Sequence, residues 1–113
     1  MVQKLCKRNK VAVLYSPGYG AGWSTWNNYT GDTHIECIFD ADIATLVLSE
    51  KSPGENTERI SNLAKEKWGN DFCSFGAKNL MVKWVRLGAE FIITDEDGWE
   101  SVGLKDKTEW IVA

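Results

Sequence analysis

Residues 11–28, Val-Ala-Val-Leu-Tyr-Ser-Pro-Gly-Tyr-Gly-Ala-Gly-Trp-Ser-Thr-Trp-Asn-Asn, constrain the fold more than any other stretch. The run opens as a strand, with Val11, Val13 and Tyr15 alternating with Ala12 and Leu14. Ser16-Pro17 ends it, because proline has no amide hydrogen to give to a sheet. Gly18, Gly20 and Gly22 follow at alternate positions. A backbone of this kind can take positive φ, pass close to another group and turn several N–H groups toward one point. Tyr19, Trp23, Trp26 and Tyr29 offer stacking surfaces beside it.

The glycine loop fails both familiar phosphate fingerprints. A dinucleotide-binding turn needs a third glycine five residues after the first and then a helix, but Trp23 stands there and a polar run follows. A P-loop needs Gly-Lys-Ser/Thr, and no lysine is near. Three readings stay open: a wide structural turn past two tryptophans, a ligand-facing loop, and a protein contact.

The rest of the chain reads in order. His34–Phe39 alternates as a short strand with Ile35, Cys37 and Phe39 on one face. Asp40 is a good N-cap, with Asp42 in the first turn of a helix that carries Ile43, Leu46 and Val47 and lasts to about Lys51. Ser52-Pro-Gly-Glu55 has the form of a capping box, and Asn56 is the competing cap. Either starts a second helix with Ile60, Leu63, Ala64 and Trp68 as its stripe, closed by Gly69-Asn70. Asp71–Gly76 is a turn with two aromatics to bury. Leu80, Val82 and Trp84 then mark a strand, Leu87-Gly88 a reversal, and Glu90–Asp95 a strand running back. Asp97-Gly98 is a strong hairpin signal into Trp99–Val102. Lys105–Lys107 turns the chain into a last strand, Thr108–Val112.

This order predicts a single α+β domain over residues 1–113. It has two layers, a mostly antiparallel sheet with a C-terminal four-strand meander, and two helices on one face. At 113 residues there is material for one core. The basic start, Met1–Lys10, has no apolar segment behind it and does not read as a secretory signal, and no run of about 18 apolar residues crosses a membrane. Cys6, Cys37 and Cys73 are odd in number and widely spaced, which fits a reducing cytoplasm better than a disulfide framework. A net charge of −3 argues against general nucleic-acid binding but leaves room for a small phosphorylated ligand. Six tryptophans are more than so small a core needs, and surplus tryptophan suits binding surfaces and oligomer interfaces.

No catalytic constellation, metal set or cofactor fingerprint emerges. His34 is the only histidine, the cysteines lack a nucleophile context, and Asp95-Glu96-Asp97 lacks the spacing of a calcium loop. More suggestive are Arg59 on the second helix, and Lys83 and Arg86 beside Trp84, since a cation next to an aromatic can hold phosphate while the ring stacks on a base.

Leu14-Tyr-Ser-Pro-Gly-Tyr-Gly-Ala-Gly-Trp-Ser-Thr-Trp-Asn27 and Phe91-Ile-Ile-Thr-Asp-Glu-Asp-Gly-Trp-Glu-Ser-Val102 resemble small phage- and prophage-encoded proteins of mostly unassigned function. Compact phage proteins of this size include inhibitors of host defence. Some are sponges for the signal nucleotides of Thoeris or CBASS systems, and others are anti-CRISPR proteins that bind an effector directly. The resemblance carries no functional residue across.

The resulting expectation is a non-enzymatic, homo-oligomeric protein that sequesters a small phosphorylated, cyclic nucleotide in the host cytoplasm. Its candidate ligand residues are Gly18, Tyr19, Gly20, Gly22, Trp23, Ser24, Thr25, Trp26, Arg59, Lys83 and Arg86. The alternative is an inhibitor that covers a host defence protein with an aromatic, acidic surface. An enzyme using Asp32, His34 or Glu36 comes third.

Overall fold

The computed structural model describes residues 3–18, 20, 22–27 and 33–104, without the side chains of Thr33 and His34. The strands are β1 (Cys6–Lys7), β2 (Lys10–Tyr15), β3 (Met81–Arg86), β4 (Phe91–Glu96) and β5 (Trp99–Leu104). The helices are α1 (Thr33–Phe39), α2 (Ala41–Leu48) and α3 (Thr57–Trp68), with short 3-10 turns at Ser24–Trp26 and Phe75–Asn79. The class is α+β, as the sequence predicts. The strands form two antiparallel sheets, one ordered β1-β2-β3 and one a β4-β5 hairpin.

β2 is the centre of the molecule. Val11, Ala12, Val13 and Leu14 are all buried, so both faces of this strand are covered. α1 and α2 pack on it and α3 packs on α2. The buried set includes Ile43, Ala44, Ile60, Ala64 and Leu80. An aromatic line crosses this core, with Trp23 edge-on to Phe72 at 4.9 Å and Phe72 tilted against Trp68 at 5.0 Å.

Several local expectations fit. Asp40 caps α2 by accepting from the Ile43 amide at 3.0 Å. Gly69 ends α3 with φ 99°, in the region that favours glycine. Asp97 and Gly98, with φ 53° and 86°, make the two-residue turn between β4 and β5.

Other expectations need correction. Residues 34–39 belong to a helix, not a strand. Cys37 and Ile38 are adjacent and both buried, which a half-buried strand does not allow, while Ile35 is exposed. The described residues therefore form three α-helices. β3 pairs with β2 along its whole length, Lys10 opposite Arg86 through Tyr15 opposite Met81, rather than with β4. Asn56 holds the cap position of α3, but its side chain turns back to the Leu46 carbonyl at 2.7 Å. Of the two aromatics in the Asp71–Gly76 turn, Phe72 is buried and Phe75 is exposed. The expected strand at Thr108–Val112 lies outside the described residues.

Candidate functional site

The glycine loop converges on one side chain, and that side chain belongs to the protein. Glu100, on β5, is fully buried. Its Oε1 accepts from the Ser16 amide at 2.8 Å. Its Oε2 accepts from the Trp23 amide at 2.7 Å, the Thr25 amide at 3.0 Å and the Thr25 hydroxyl at 2.7 Å. The Glu100 amide donates to the Ser16 carbonyl at 2.9 Å, so strand and loop are tied in both directions. A cluster of backbone N–H groups aimed at one point is an anion nest. Here the anion is a carboxylate on the neighbouring hairpin.

The glycines make room for that arrangement. A methyl group at Gly22 would stand 2.8 Å from Trp26 and 2.9 Å from Glu100 Oε2. One at Gly18 would collide with the Asn79 side chain. Gly20 has φ 107° and donates to the Asp97 carbonyl at the hairpin tip, 2.9 Å away. Asn27 closes the far end, receiving the Cys73 amide at 2.8 Å and donating to the Trp23 carbonyl at 2.7 Å.

The other candidates fall in different places. Trp23 is buried, with its indole N–H donating to the Cys37 carbonyl at 2.8 Å, so it is a core residue with no free stacking face. Ser24 is buried. The Thr25 hydroxyl lies between Glu100 and Asp95 Oδ2, 2.8 Å from the latter. Trp26 is 38% exposed and donates to Asp95 at 2.9 Å. Arg59, Lys83 and Arg86 are exposed. Lys83 and Arg86 are three residues apart on β3 and so point to opposite faces of the sheet. Arg86 pairs with Lys10, at the end of β2 remote from the loop. Tyr19, Tyr29 and Asp32 lie outside the described residues, as does the His34 side chain. Glu36 is engaged by the Trp68 indole at 3.1 Å.

The carboxylate also shapes its surroundings. Burial, reinforced by the negative charge of Glu100, pushes the Cys37 thiol far above its ordinary range. Cys37 is thereby an inert interior thiol.

A cleft opens beside the loop. It holds about 480 Å³ between α2, the turn after it and the start of β3. Val47, Leu48, Pro53 and Met81 give it apolar walls, and its charged lining residues are Lys51, Lys78 and Glu50. Pro17 and Asn79 also line it, and Asn79 is the residue packed against Gly18. The loop thus supports one end of the cleft. The chain matches no family model, curated protein or solved structure in the three comparisons made.

Sequence reasoning missed Glu100, Lys51, Lys78 and Asn79. For Glu100 a signal existed. It shares parity on β5 with Val102 and Leu104, so it stands where an apolar residue is expected. Among the described residues no helix is long and apolar enough to cross a membrane.

Proposed function

We propose that the chain is a non-enzymatic binding protein that sequesters a small phosphorylated ligand of the nucleotide kind in the cleft between α2, the turn after it and β3. The observation that carries this reading is the chemistry of the cleft: space for such a ligand, apolar walls, and two lysines, Lys51 and Lys78, against one carboxylate, Glu50, which already accepts from the Asn56 amide. Apolar walls suit the faces of a base and sugar, and a lysine suits phosphate as a compact point charge. The glycine loop is then scaffold, since the Ser16, Trp23 and Thr25 amides already serve Glu100. In the setting the phage-type motifs imply, the ligand is a cyclic signal of host defence, removed without turnover in the host cytoplasm. A homo-oligomer that covers Leu48 and Met81 would close the cleft over it.

Thermal unfolding against a panel of linear and cyclic nucleotides tests this, with each ligand recovered and checked for integrity. A ligand at about a hundred times its dissociation constant stabilises by roughly 2.7 kcal/mol, which moves the midpoint of a domain this size on the order of 10 °C. Lys51→Ala combined with Lys78→Ala should abolish the shift and leave the free protein's midpoint nearly unchanged. Altered ligand would mean an enzyme. No shift across the panel would sink the reading.

A second reading, direct inhibition of a host defence protein, is favoured by a separate observation. Trp26 and Trp99, 38% and 41% exposed, flank the hairpin end that carries Glu96 and Asp97. A stable complex with a macromolecule and no nucleotide effect would support it.

A further inference from the structure

Among the described residues β4 is an edge strand, paired with β5 alone. The direction of its free groups follows from the register. The Glu100 amide donates away from β4, to Ser16, so Asp95 and Glu100 form a non-hydrogen-bonded pair. The same holds two residues on, for Ile93 with Val102 and for Phe91 with Leu104. On β4, therefore, the backbone N–H and C=O groups of Phe91, Ile93 and Asp95 point outward. No backbone bond to those groups is formed by the described residues.

The edge borders an apolar groove. About 390 Å³ of space is lined by Ile35, Ile38 and Phe39 of α1 and by Phe91, Ile92 and Ile93 of β4, with Ser24 and Thr25 at one end. Ile35 and Ile92 are 48% and 59% exposed. None of the described lining residues is charged. A strand laid along β4 would meet outward main-chain groups and drop alternate side chains into this groove, the usual geometry of strand addition.

The charges that guard this edge are all acidic. Proteins blunt such edges with charged side chains, most often lysine, and with proline or a bulge. From Glu90 to Leu104 the chain has no lysine, arginine or proline, but has Glu90, Asp95, Glu96, Asp97 and Glu100. Glu100 is consumed inside, while Glu96 and Asp97 are exposed. This charge decides between occupants. A second copy's β4–β5 hairpin has no lysine or arginine from Glu90 to Leu104 to meet Glu96 and Asp97. An occupant with lysine or arginine at that end meets opposite charge instead.

We infer that β4 and the groove beside it form a docking site for an extended segment of a partner protein. That segment has apolar residues at alternate positions and lysine or arginine next to Glu96 and Asp97. This site is separate from the cleft between α2 and β3, and it would give the inhibitor reading a defined surface.

The test is selection of a random dodecapeptide display library on the full chain, followed by amide exchange of the complex. Enriched peptides should alternate apolar residues, end in basic ones, and slow exchange at Phe91, Ile93 and Asp95. Ile93→Pro removes one outward donor and should abolish binding. Should that variant not fold, Glu96→Lys provides the second arm: binding of the selected peptides should drop by roughly fivefold through lost charge complementarity. No enrichment, enrichment of acidic peptides, or protection elsewhere would overturn the inference. So would self-association of the free chain through β4, which would make a second copy the occupant.

Discussion

Two turns of this chain gather backbone N–H groups, and each is closed by the chain's own carboxylates at opposite depths. In the glycine loop, Glu100 takes the amides of Ser16, Trp23 and Thr25 in the interior. In the turn between α2 and α3, Glu55 takes the Lys51 amide at 3.0 Å and Glu50 takes the Asn56 amide at 2.8 Å, close to solvent. The hydrogen-bond chemistry is the same. What differs is what replaces the carboxylate when it is removed. Water can reach the outer turn, whereas the inner amides would be left unpaired. Glycine loops that look poised for a foreign anion can thus be filled from within, and only the depth of the filling decides how much of the fold depends on it.

The sharpest way to break this comparison is at Glu100. Glu100→Ala should cost about 3–5 kcal/mol, the usual result of stripping one partner from a buried charged network. Glu100→Gln keeps the shape but sets an amide NH2 among donors, and should cost about 2–3 kcal/mol. Urea unfolding measures both. A Gln variant as stable as the parent would show that the negative charge is not what gathers the loop.

Glycine substitutions sharpen it next. A methyl at Gly76 would stand 2.5 Å from the Gly22 carbonyl oxygen, a backbone atom that can move only with the loop. Gly76→Ala should cost about 1–3 kcal/mol by overpacking. Gly54, in the outer turn, has φ 78° and its nearest neighbour at 3.2 Å. Gly54→Ala should cost about 1 kcal/mol, chiefly from the left-handed backbone. Equal costs would mean that the two turns are equally rigid. Smaller still, Glu50→Ala and Glu55→Ala should each stay within about 0.5 kcal/mol of the parent.

Elements with local causes were legible in the sequence. Val11–Tyr15 alternates and stops at Pro17; Asp40 caps; Gly69 ends a helix; Asp97-Gly98 turns a hairpin. Each depends on residues within a few positions. What was not legible depends on distant partners. Residues 34–39 fit either a strand or a helix, and packing on β2 selected the helix that buries Cys37 with Ile38. β3 could pair with β2 or β4 on pattern alone. β1 had no signal, because its two residues are held only by pairing with β2 around Arg8 at φ 58°. Glu100 meets donors 75 to 84 residues away. Its parity with Val102 and Leu104 was visible, but a lone glutamate near a turn reads as solvated until its donors are seen.

Asp40 lies between the two extremes and gives the finest test. It is almost fully buried, yet it shares itself between the Ile43 amide and the Lys67 amine, 3.0 Å away at the surface. Burial alone would lower the Lys67 pKa, but hydrogen bonds to Asp40 and Asp42 outweigh it and hold the amine above its ordinary value of 10.5. Because the folded value is the higher one, the folded state binds the proton more tightly. The contribution is therefore complete below about pH 10 and falls away as pH rises through the raised value. Lys67→Met should cost roughly 0.5–1 kcal/mol at neutral pH, reduced by solvent screening of the half-open pair. The gap between parent and variant should then close as pH rises through the raised value. The raised Cys37 thiol also lowers stability in alkali, but it is present in both proteins and cancels in the difference. A gap that stayed constant with pH would assign the loss to packing of the lysine stem, and Asp40 would then belong with Glu100 as a carboxylate sustained by uncharged donors.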